Sequence, residues 1–184
     1  MLRTVVFFVI AVDPFGAAVV LSRCTDRVRC AVVGLAAAVA LWSLAAGLGP
    51  WVLDRLDISP EAAAIAAGVV LLVPAATLLA SGDQLYLLGD RLGGWRAGIV
   101  PLAVPLLAGP APLAVVAALA ARRGRGDAFV AVAIAFAVAV CTAWVATRQQ
   151  RDERSLLEGI AGRAVGAAMV VVSFALIVDG VLGV

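Results

Sequence analysis

The stretch Ala128–Thr147, AFVAVAIAFAVAVCTAWVAT, runs for twenty residues without a charged side chain, a glycine or a proline. About twenty consecutive apolar residues are what an α-helix needs to cross the hydrocarbon core of a bilayer. The backbone finds no water there, so the segment must satisfy its own N–H and C=O groups, as a helix does. This stretch therefore predicts a transmembrane helix.

Further apolar runs of similar length occur along the chain, and we number the spans in chain order with Ala128–Thr147 as the fifth. The others cover Thr4–Ser22, Cys30–Leu53, Ala62–Ala80, Ala97–Ala121 and Ala164–Val184. None shows the strict alternation over about ten residues that is typical of a membrane β-strand. With 64% hydrophobic residues and a mean hydropathy of +1.11, the 184 residues predict one all-α domain, a polytopic membrane protein of six transmembrane helices.

Composition excludes several function classes. A net charge of +2 gives no reason to expect nucleic-acid binding. The chain has no histidine, the commonest metal ligand and general base, and we find no paired acids near a serine or cysteine that could activate it as a nucleophile. We therefore expect no enzyme, no metal site and no cofactor, and the expected partners are the lipid bilayer and a small solute.

The three cysteines, Cys24, Cys30 and Cys141, form no C-x-x-C motif, and we interpret them as small apolar side chains that fill space. A membrane redox carrier built on broken helices would need paired cysteines beside the breaks of spans one and four. The sequence has none there, so we set that function aside.

The first run has the charge and apolar core of a signal peptide, with Gly16-Ala17-Ala18 as a weak cleavage region. Asp13-Pro14 interrupts the core before that region, and the apolar run then resumes to Leu21. We interpret it as a retained first helix that is broken at Asp13-Pro14.

Arginine counts indicate the orientation, because cytoplasmic loops carry the excess of basic residues. The connections after spans one, three and five hold nine arginines: Arg23, Arg27, Arg29, Arg91, Arg96, Arg148, Arg151, Arg154 and Arg163. The other side holds five: Arg3, Arg55, Arg122, Arg123 and Arg125. This count places both termini outside the cytoplasm, although the Arg122–Arg125 cluster argues the other way.

Spans one to three are similar to spans four to six. Asp13-Pro14-Phe15-Gly16 in span one matches Gly109-Pro110-Ala111-Pro112 in span four, each a proline-centred break followed by an apolar half-helix. Three spans per copy is an odd number, so the second copy enters the membrane from the opposite side. We predict a 3+3 inverted repeat, with copies at about residues 1–80 and 97–184 and with spans one and four broken.

Matched breaks in inverted halves are the best sequence indication of a transporter's binding site. Proline frees backbone groups that must face protein or a water-filled cavity, and a half-helix N-terminus attracts a carboxylate. We predict that amides after Pro14 and Pro110 hold the carboxylate of a solute. The predicted substrate-binding residues are Asp13, Pro14, Phe15, Gly16, Ala108, Gly109, Pro110 and Ala111.

Asp13 lies near the middle of its span, where a charged aspartate costs about 2.5–3.5 kcal/mol on insertion scales. It is a candidate to bind an amine or to carry a coupling proton, and as the residue before proline it is also a candidate helix cap. Asp179, near the end of span six, is a second proton-coupling candidate or a headgroup-level residue. No basic residue lies within any span, so we expect no buried ion-pair partner for either acid.

The run Ile99-Val100-Pro101-Leu102-Ala103-Val104-Pro105-Leu106-Leu107-Ala108-Gly109-Pro110 resembles the signature of the MarC family of integral membrane proteins, typically PLAIPLLAGPG in the fourth helix. That family's first helix typically carries Asn-Pro-x-Gly, where this chain has Asp13-Pro14-Phe15-Gly16. Other motifs of the family follow in the same order to the end of the chain. The sequence departs from the pattern at Asp13 and Asp179, each in place of asparagine, and at Ala111 in place of glycine.

The resemblance implies a six-helix plasma-membrane protein related to the LysE-type amino-acid exporters. Relatives described as carriers of small neutral amino acids favour a secondary transporter of such solutes, driven by H⁺ or Na⁺. A non-transporting membrane factor in envelope stress or assembly stays open as the alternative.

Overall fold

The computed structural model describes residues 2–81, 96–148 and 155–183, and these residues fold almost entirely into helices. In chain order the helices are α1 (Leu2–Val12), α2 (Pro14–Arg23), α3 (Arg27–Arg55), α4 (Pro60–Ser81), a π-helix π1 (Gly98–Leu107), α5 (Pro110–Arg123), α6 (Arg125–Arg148) and α7 (Ser155–Leu182). The all-α prediction is confirmed.

Among the described residues, four helical segments are long and apolar enough to cross a membrane. They are Arg27–Arg55, Pro60–Ser81, Arg125–Val145 and Ile160–Leu182. A shorter apolar stretch, Val5–Leu21, is helical on both sides of Asp13. Each of the predicted apolar runs therefore coincides with helix, although α7 begins at Ser155, nine residues before the predicted start of span six. Most of the predicted connection between spans three and four lies outside the described residues.

Both predicted breaks are present. Span one is divided at Asp13, between α1 and α2, and span four is divided at Ala108 and Gly109, between π1 and α5. Within π1 the backbone is extended at Val100 and Val104, with φ of −126° and −125°. Each of these valines precedes a proline, and proline disfavours the helical conformation of the residue before it. The four prolines of span four thus account for its irregular first half and for its break.

Helices α4 and α7 pack closely in antiparallel directions through three glycines. A Cβ on Gly68 would stand 2.8 Å from the carbonyl oxygen of Ser173, one on Gly166 would stand 2.9 Å from Cβ of Leu78, and one on Gly180 would stand 2.7 Å from the carbonyl oxygen of Glu61. Small residues let the backbones of membrane helices approach in this way. The two helices therefore form a pair that runs the length of the molecule.

Helix α3 packs beside both halves of span four and runs parallel to it. A Cβ on Gly34 would stand 2.8 Å from the carbonyl oxygen of Gly98, and one on Gly49 would stand 2.7 Å from Cβ of Ala117. Between these levels Trp42, which is fully buried, reaches the end of π1. This mid-span tryptophan therefore packs between helices.

Two other tryptophans lie near the ends of helices, where membrane proteins typically carry a belt of aromatic side chains. Trp51 and Trp144 are both more than half exposed, and the guanidinium carbons of Arg55 and Arg148 lie 5.4 Å and 4.0 Å from their ring centroids. Trp95 lies outside the described residues.

Candidate functional site

Asp13 forms the break in span one and caps the helix that follows it. Its backbone is left-handed, with φ 48° and ψ 66°, a conformation in which Asp and Asn are enriched. Oδ1 accepts a hydrogen bond of 3.0 Å from the backbone N–H of Gly16, and its carbonyl oxygen accepts one of 3.3 Å from Ala17. The side chain is 2% exposed. Asp13 is therefore a helix cap, and it is also a buried acid deep inside the molecule.

The break in span four has a different chemistry. Gly109 is the N-cap of α5 and provides no side-chain cap, Pro110 and Pro112 occupy the first turn, and the first helical bond runs from the N–H of Leu113 to the carbonyl oxygen of Gly109 at 3.2 Å. A helix leaves its first four N–H groups without partners inside it, but proline has none. Two of these four donors are thus absent from α5, and those of Gly109 and Ala111 remain.

The two half-helices that begin after the breaks consequently differ at their N-termini. In α2 the N–H of Gly16 already donates to the carboxylate of Asp13, so it is not available to a solute. That amides after Pro14 hold a substrate carboxylate stays a prediction, and it now depends on donors other than this one. In α5 no side chain competes for the donors at the N-terminus.

A tryptophan from another helix stabilises the end of π1. The indole Nε1 of Trp42 donates a hydrogen bond of 3.0 Å to the carbonyl oxygen of Leu107. A helix break exposes carbonyl groups, and a buried unpaired one is costly. The same indole meets the ring of Phe8 edge to face, with centroids 5.5 Å apart. Trp42 therefore links the first half of span one to the break of span four.

The two breaks meet at one cavity of about 440 Å³, which we call the central cavity. Span one contributes Ala11 and Asp13, and span four contributes Leu106 and the run from Gly109 to Pro112. The remaining lining residues come from α4 and α7: Val69, Val70, Val73, Pro74, Thr77 and Met169. Asp13 is the one ionisable side chain among the described residues that line this cavity.

The structure brings together four of the predicted binding residues, Asp13, Gly109, Pro110 and Ala111, around the central cavity. Ala108 is buried and does not line the cavity. Gly16 lies against Asp13, because a Cβ there would stand 3.1 Å from Cγ of that aspartate. The side chains of Pro14 and Phe15 lie outside the described part of the chain.

Asp179 is placed away from the central cavity. It lines a smaller cavity of about 150 Å³ together with Arg122 and Arg123, and Nη2 of Arg122 donates to its backbone carbonyl oxygen at 3.5 Å. The end of α5 therefore brings two arginines beside the end of α7, where Asp179 is half-buried. The contact of Arg122 is with the backbone, so the expectation that this acid has no buried ion-pair partner stays a prediction. Sequence reasoning did not identify the apolar cavity walls from α4 and α7 or the contact of Trp42. No motif in the sequence indicates that these residues belong to a site.

The interpretation of all three cysteines as space-filling side chains is also wrong. Cys24 and Cys30, both buried, are paired as a disulfide across the turn between α2 and α3, with Cα atoms 6.7 Å apart. Cys141 is free and exposed. The disulfide lies at the end of α2 away from Asp13, so it does not border the break.

Comparison with known proteins places these features in a family. A family model described as "MarC family integral membrane protein" matches residues 1–184, the whole chain. Neither the curated proteins nor the solved structures contain a match. The helical fold, the apolar helices of membrane-spanning length and this full-length match together establish that the chain belongs to the MarC family of integral membrane proteins.

Proposed function

We propose that this protein is a secondary transporter of small solutes in the plasma membrane, and that small neutral amino acids are its substrate class. The proposal includes six spans in a 3+3 inverted repeat, with both termini outside the cytoplasm. The observation that carries it is the meeting of the breaks of spans one and four at one cavity. Substrate sites of inverted-repeat transporters lie between discontinuous helices at the repeat interface.

The packing of the helices supports the inverted repeat. Helix α3, the second span of the first half, packs against both parts of the broken span of the second half, π1 and α5. Helix α6, the second span of the second half, packs against α1 and α2, the broken span of the first half. The third spans, α4 and α7, pair with each other in antiparallel directions. An inverted two-fold relationship between the halves predicts this exchange of partners.

The chemistry of the central cavity suits a zwitterion. Asp13 offers a carboxylate to an ammonium group. The N-terminus of α5 offers the N–H groups of Gly109 and Ala111 and the positive end of the helix dipole to a carboxylate. Its volume of about 440 Å³ falls within the usual range of roughly 300–1,000 Å³ for small-molecule sites. The apolar walls leave room for a short side chain.

Transport fits this cavity better than catalysis does. Covalent catalysis requires a nucleophile within reach of a base. Thr77, the hydroxyl residue among the lining residues, donates its Oγ1 hydrogen to the carbonyl oxygen of Val73 at 2.9 Å. A buried acid inside a membrane typically marks a substrate or ion pathway. We therefore assign Asp13 to the solute's ammonium group or to a coupling ion, H⁺ or Na⁺.

The test is uptake of labelled alanine, glycine and serine into proteoliposomes under an imposed pH or sodium gradient. Asp13→Asn is compared with the parent and with Asp26→Asn. Asp26 is a matched control because it also caps a helix, accepting from the N–H of Arg29 at 3.2 Å, but it lies in the first connection. We expect gradient-driven uptake in the parent and in Asp26→Asn, and its loss in Asp13→Asn.

Each other outcome has a defined meaning. If uptake persists in Asp13→Asn, the protein is still a transporter, but Asp13 acts only as a helix cap. An absence of flux for all three amino acids, in protein that is folded by thermal-unfolding criteria, contradicts the substrate class. If other solutes also fail to move, the alternative of a non-transporting factor in envelope stress or assembly replaces the proposal.

A further inference from the structure

The cavity of about 150 Å³ beside Asp179 is lined by α1, α4, α5 and α7, and all four of these helices also line the central cavity, where π1 adds Leu106. We call it the outer cavity. It takes Phe7 from α1, Ala64 from α4, Leu119 and Arg122 from α5, and Leu176 and Asp179 from α7. Two cavities enclosed by one set of helices are the geometry expected of consecutive parts of one path.

The outer cavity is displaced in the same physical direction on every helix. On α1 and α4 its residues precede those of the central cavity, Phe7 before Ala11 and Ala64 before Val69. On α5 and α7 they follow, as Leu176 follows Met169. Since α4 runs antiparallel to α7, these opposite shifts along the chain are one shift in space. The outer cavity therefore continues the central cavity toward the end that holds Arg122 and Asp179.

A closed layer separates the two cavities, and Ser173 lies in it. Ser173 stands one turn from Met169 and one turn from Leu176, which line the central and the outer cavity. At this level α4 and α7 are in close contact, because a Cβ on Gly68 would stand 2.8 Å from the carbonyl oxygen of Ser173. Phe8 of α1 and Ala67 of α4, both fully buried, belong to the same layer.

In the described part of the chain, the layer between the cavities contains one polar side chain that is buried without a hydrogen bond, that of Ser173. Ser173 is fully buried, and within the described residues its Oγ has no hydrogen-bond partner. A serine in a membrane helix commonly bonds back to a carbonyl one turn earlier. A buried polar group that makes no such bond is expensive, and it calls for a functional explanation.

We propose that the two cavities are successive solute-binding sites on one translocation path, and that the layer containing Ser173 is the barrier between them. The hydroxyl of Ser173 binds the polar groups of the solute as it crosses the barrier. Arg122 and Asp179 bind its carboxylate and ammonium groups in the outer cavity. This inference rests on the proposed function for the identity of the solute, but the connection between the cavities is testable without any transport.

The connection is tested by the accessibility of single cysteines, with Cys24, Cys30 and Cys141 replaced by alanine. Leu176→Cys reports on the outer cavity and Thr77→Cys on the central cavity. Val171→Cys is the matched control, because Val171 is on α7, 68% exposed and absent from both cavities, so it is expected to face lipid. Charged methanethiosulfonate reagents are applied to one face of oriented vesicles at a time.

We expect Leu176→Cys to react from one face, Thr77→Cys to react from the opposite face, and Val171→Cys to react from neither. Reaction of Leu176→Cys and Thr77→Cys from the same face, or no reaction of Leu176→Cys from either, overturns the path. These readouts remain valid if the protein carries no amino acid, so failure of the path and failure of the proposed function are distinguishable.

The roles of the side chains are tested by uptake of labelled alanine. Ser173→Ala should lower the maximal uptake rate about five- to tenfold with KM unchanged, and leave the thermal-unfolding midpoint equal or higher, because it removes an unpaired buried group. Arg122→Gln should raise KM about tenfold, while Arg125→Gln, an exposed neighbour, should leave it unchanged. An unchanged maximal rate in Ser173→Ala would contradict a role of the hydroxyl in translocation. An unchanged KM in Arg122→Gln would contradict solute binding in the outer cavity.

Discussion

The indole Nε1 of Trp42 and the carbonyl oxygen of Leu107, 65 residues apart in the sequence, are joined by a buried hydrogen bond of 3.0 Å. Leu107 is the last residue of π1, in the first half of span four. The helix does not continue past it, and Pro110, which begins α5, has no N–H group to donate. The bond supplies from α3 the partner that the broken helix lacks. It makes α3 part of the support of the site, although no residue of α3 lines the central cavity among the described residues.

Replacing this donor should destabilise the fold measurably. Trp42→Phe keeps an aromatic ring against Phe8 but leaves the carbonyl of Leu107 buried without its donor, which costs about 1–3 kcal/mol. Thermal unfolding in detergent should show a clear fall in the midpoint. Trp51→Phe is the control, because Trp51 is 54% exposed and its contact with Arg55 is worth about 0.5–1 kcal/mol. Equal midpoints for the two variants would contradict a structural role for the bond.

The dual role of Asp13 predicts that stability and transport respond to different substitutions. Asp13→Asn keeps a capping oxygen and a residue that tolerates φ 48°, so the unfolding midpoint should change little. Asp13→Ala loses the cap, at about 0.5–2 kcal/mol, and places alanine in a left-handed conformation, at roughly 1–2 kcal/mol more. Asp26→Ala loses a cap and an exposed ion pair with Arg29 but introduces no left-handed alanine, so it should fall between them. A loss of stability in Asp13→Asn as large as in Asp13→Ala would show that the charge itself supports the fold.

The contact between α4 and α7 predicts opposite effects of one substitution at two glycines. Gly68→Ala brings a methyl group within 2.8 Å of the carbonyl oxygen of Ser173, and overpacking of this kind costs about 1–3 kcal/mol. Gly47→Ala meets nothing within 4 Å in α3 and should be neutral or stabilising by about 0.5–1 kcal/mol. Thermal unfolding of the two variants checks the sign. A stabilised Gly68→Ala would mean that α4 and α7 are farther apart than described.

The disulfide predicts a redox-dependent state of the first connection. In the orientation that we propose, Cys24 and Cys30 lie on the cytoplasmic side, where thiols are kept reduced, whereas a disulfide persists on an oxidising side. We expect both to be thiols in growing cells and to close on oxidation of the isolated protein. The measurement is alkylation in intact cells with a permeant maleimide, followed by mass analysis. A disulfide found before cell lysis would reverse the orientation of the whole chain.

The sequence predicted most of the features that proline and aspartate create locally. Pro14 and Pro110 marked the breaks, and Asp13 was recognised as a candidate cap, because these effects act over one turn of chain. The sequence did not reveal that Pro112 would remove a second donor from α5 while Gly16 would be committed to Asp13, since that follows from the bonds made at each terminus.

Features that depend on distant parts of the chain were not predictable in this way. The bond from Trp42 to Leu107 and the meeting of Arg122 with Asp179 join separate helices, and an Ala/Val-rich sequence has no signal for such pairs. Three of the five α4 residues that line the central cavity are valines, which are indistinguishable in sequence from lipid-facing ones. The Cys24–Cys30 pair was missed because its spacing follows no known motif and depends on how the turn before α3 folds.

The attachment of α3 to span four constrains how this protein can change shape. Gly34, Trp42 and Gly49 contact span four on both sides of its break. Because α3 bridges the break in this way, we expect that the break does not act as a hinge. Span four and α3 should then move as one rigid body. Opening of the barrier at Ser173 would accordingly require the α4–α7 pair to slide or tilt against that body, with the glycine contacts inside the pair kept intact.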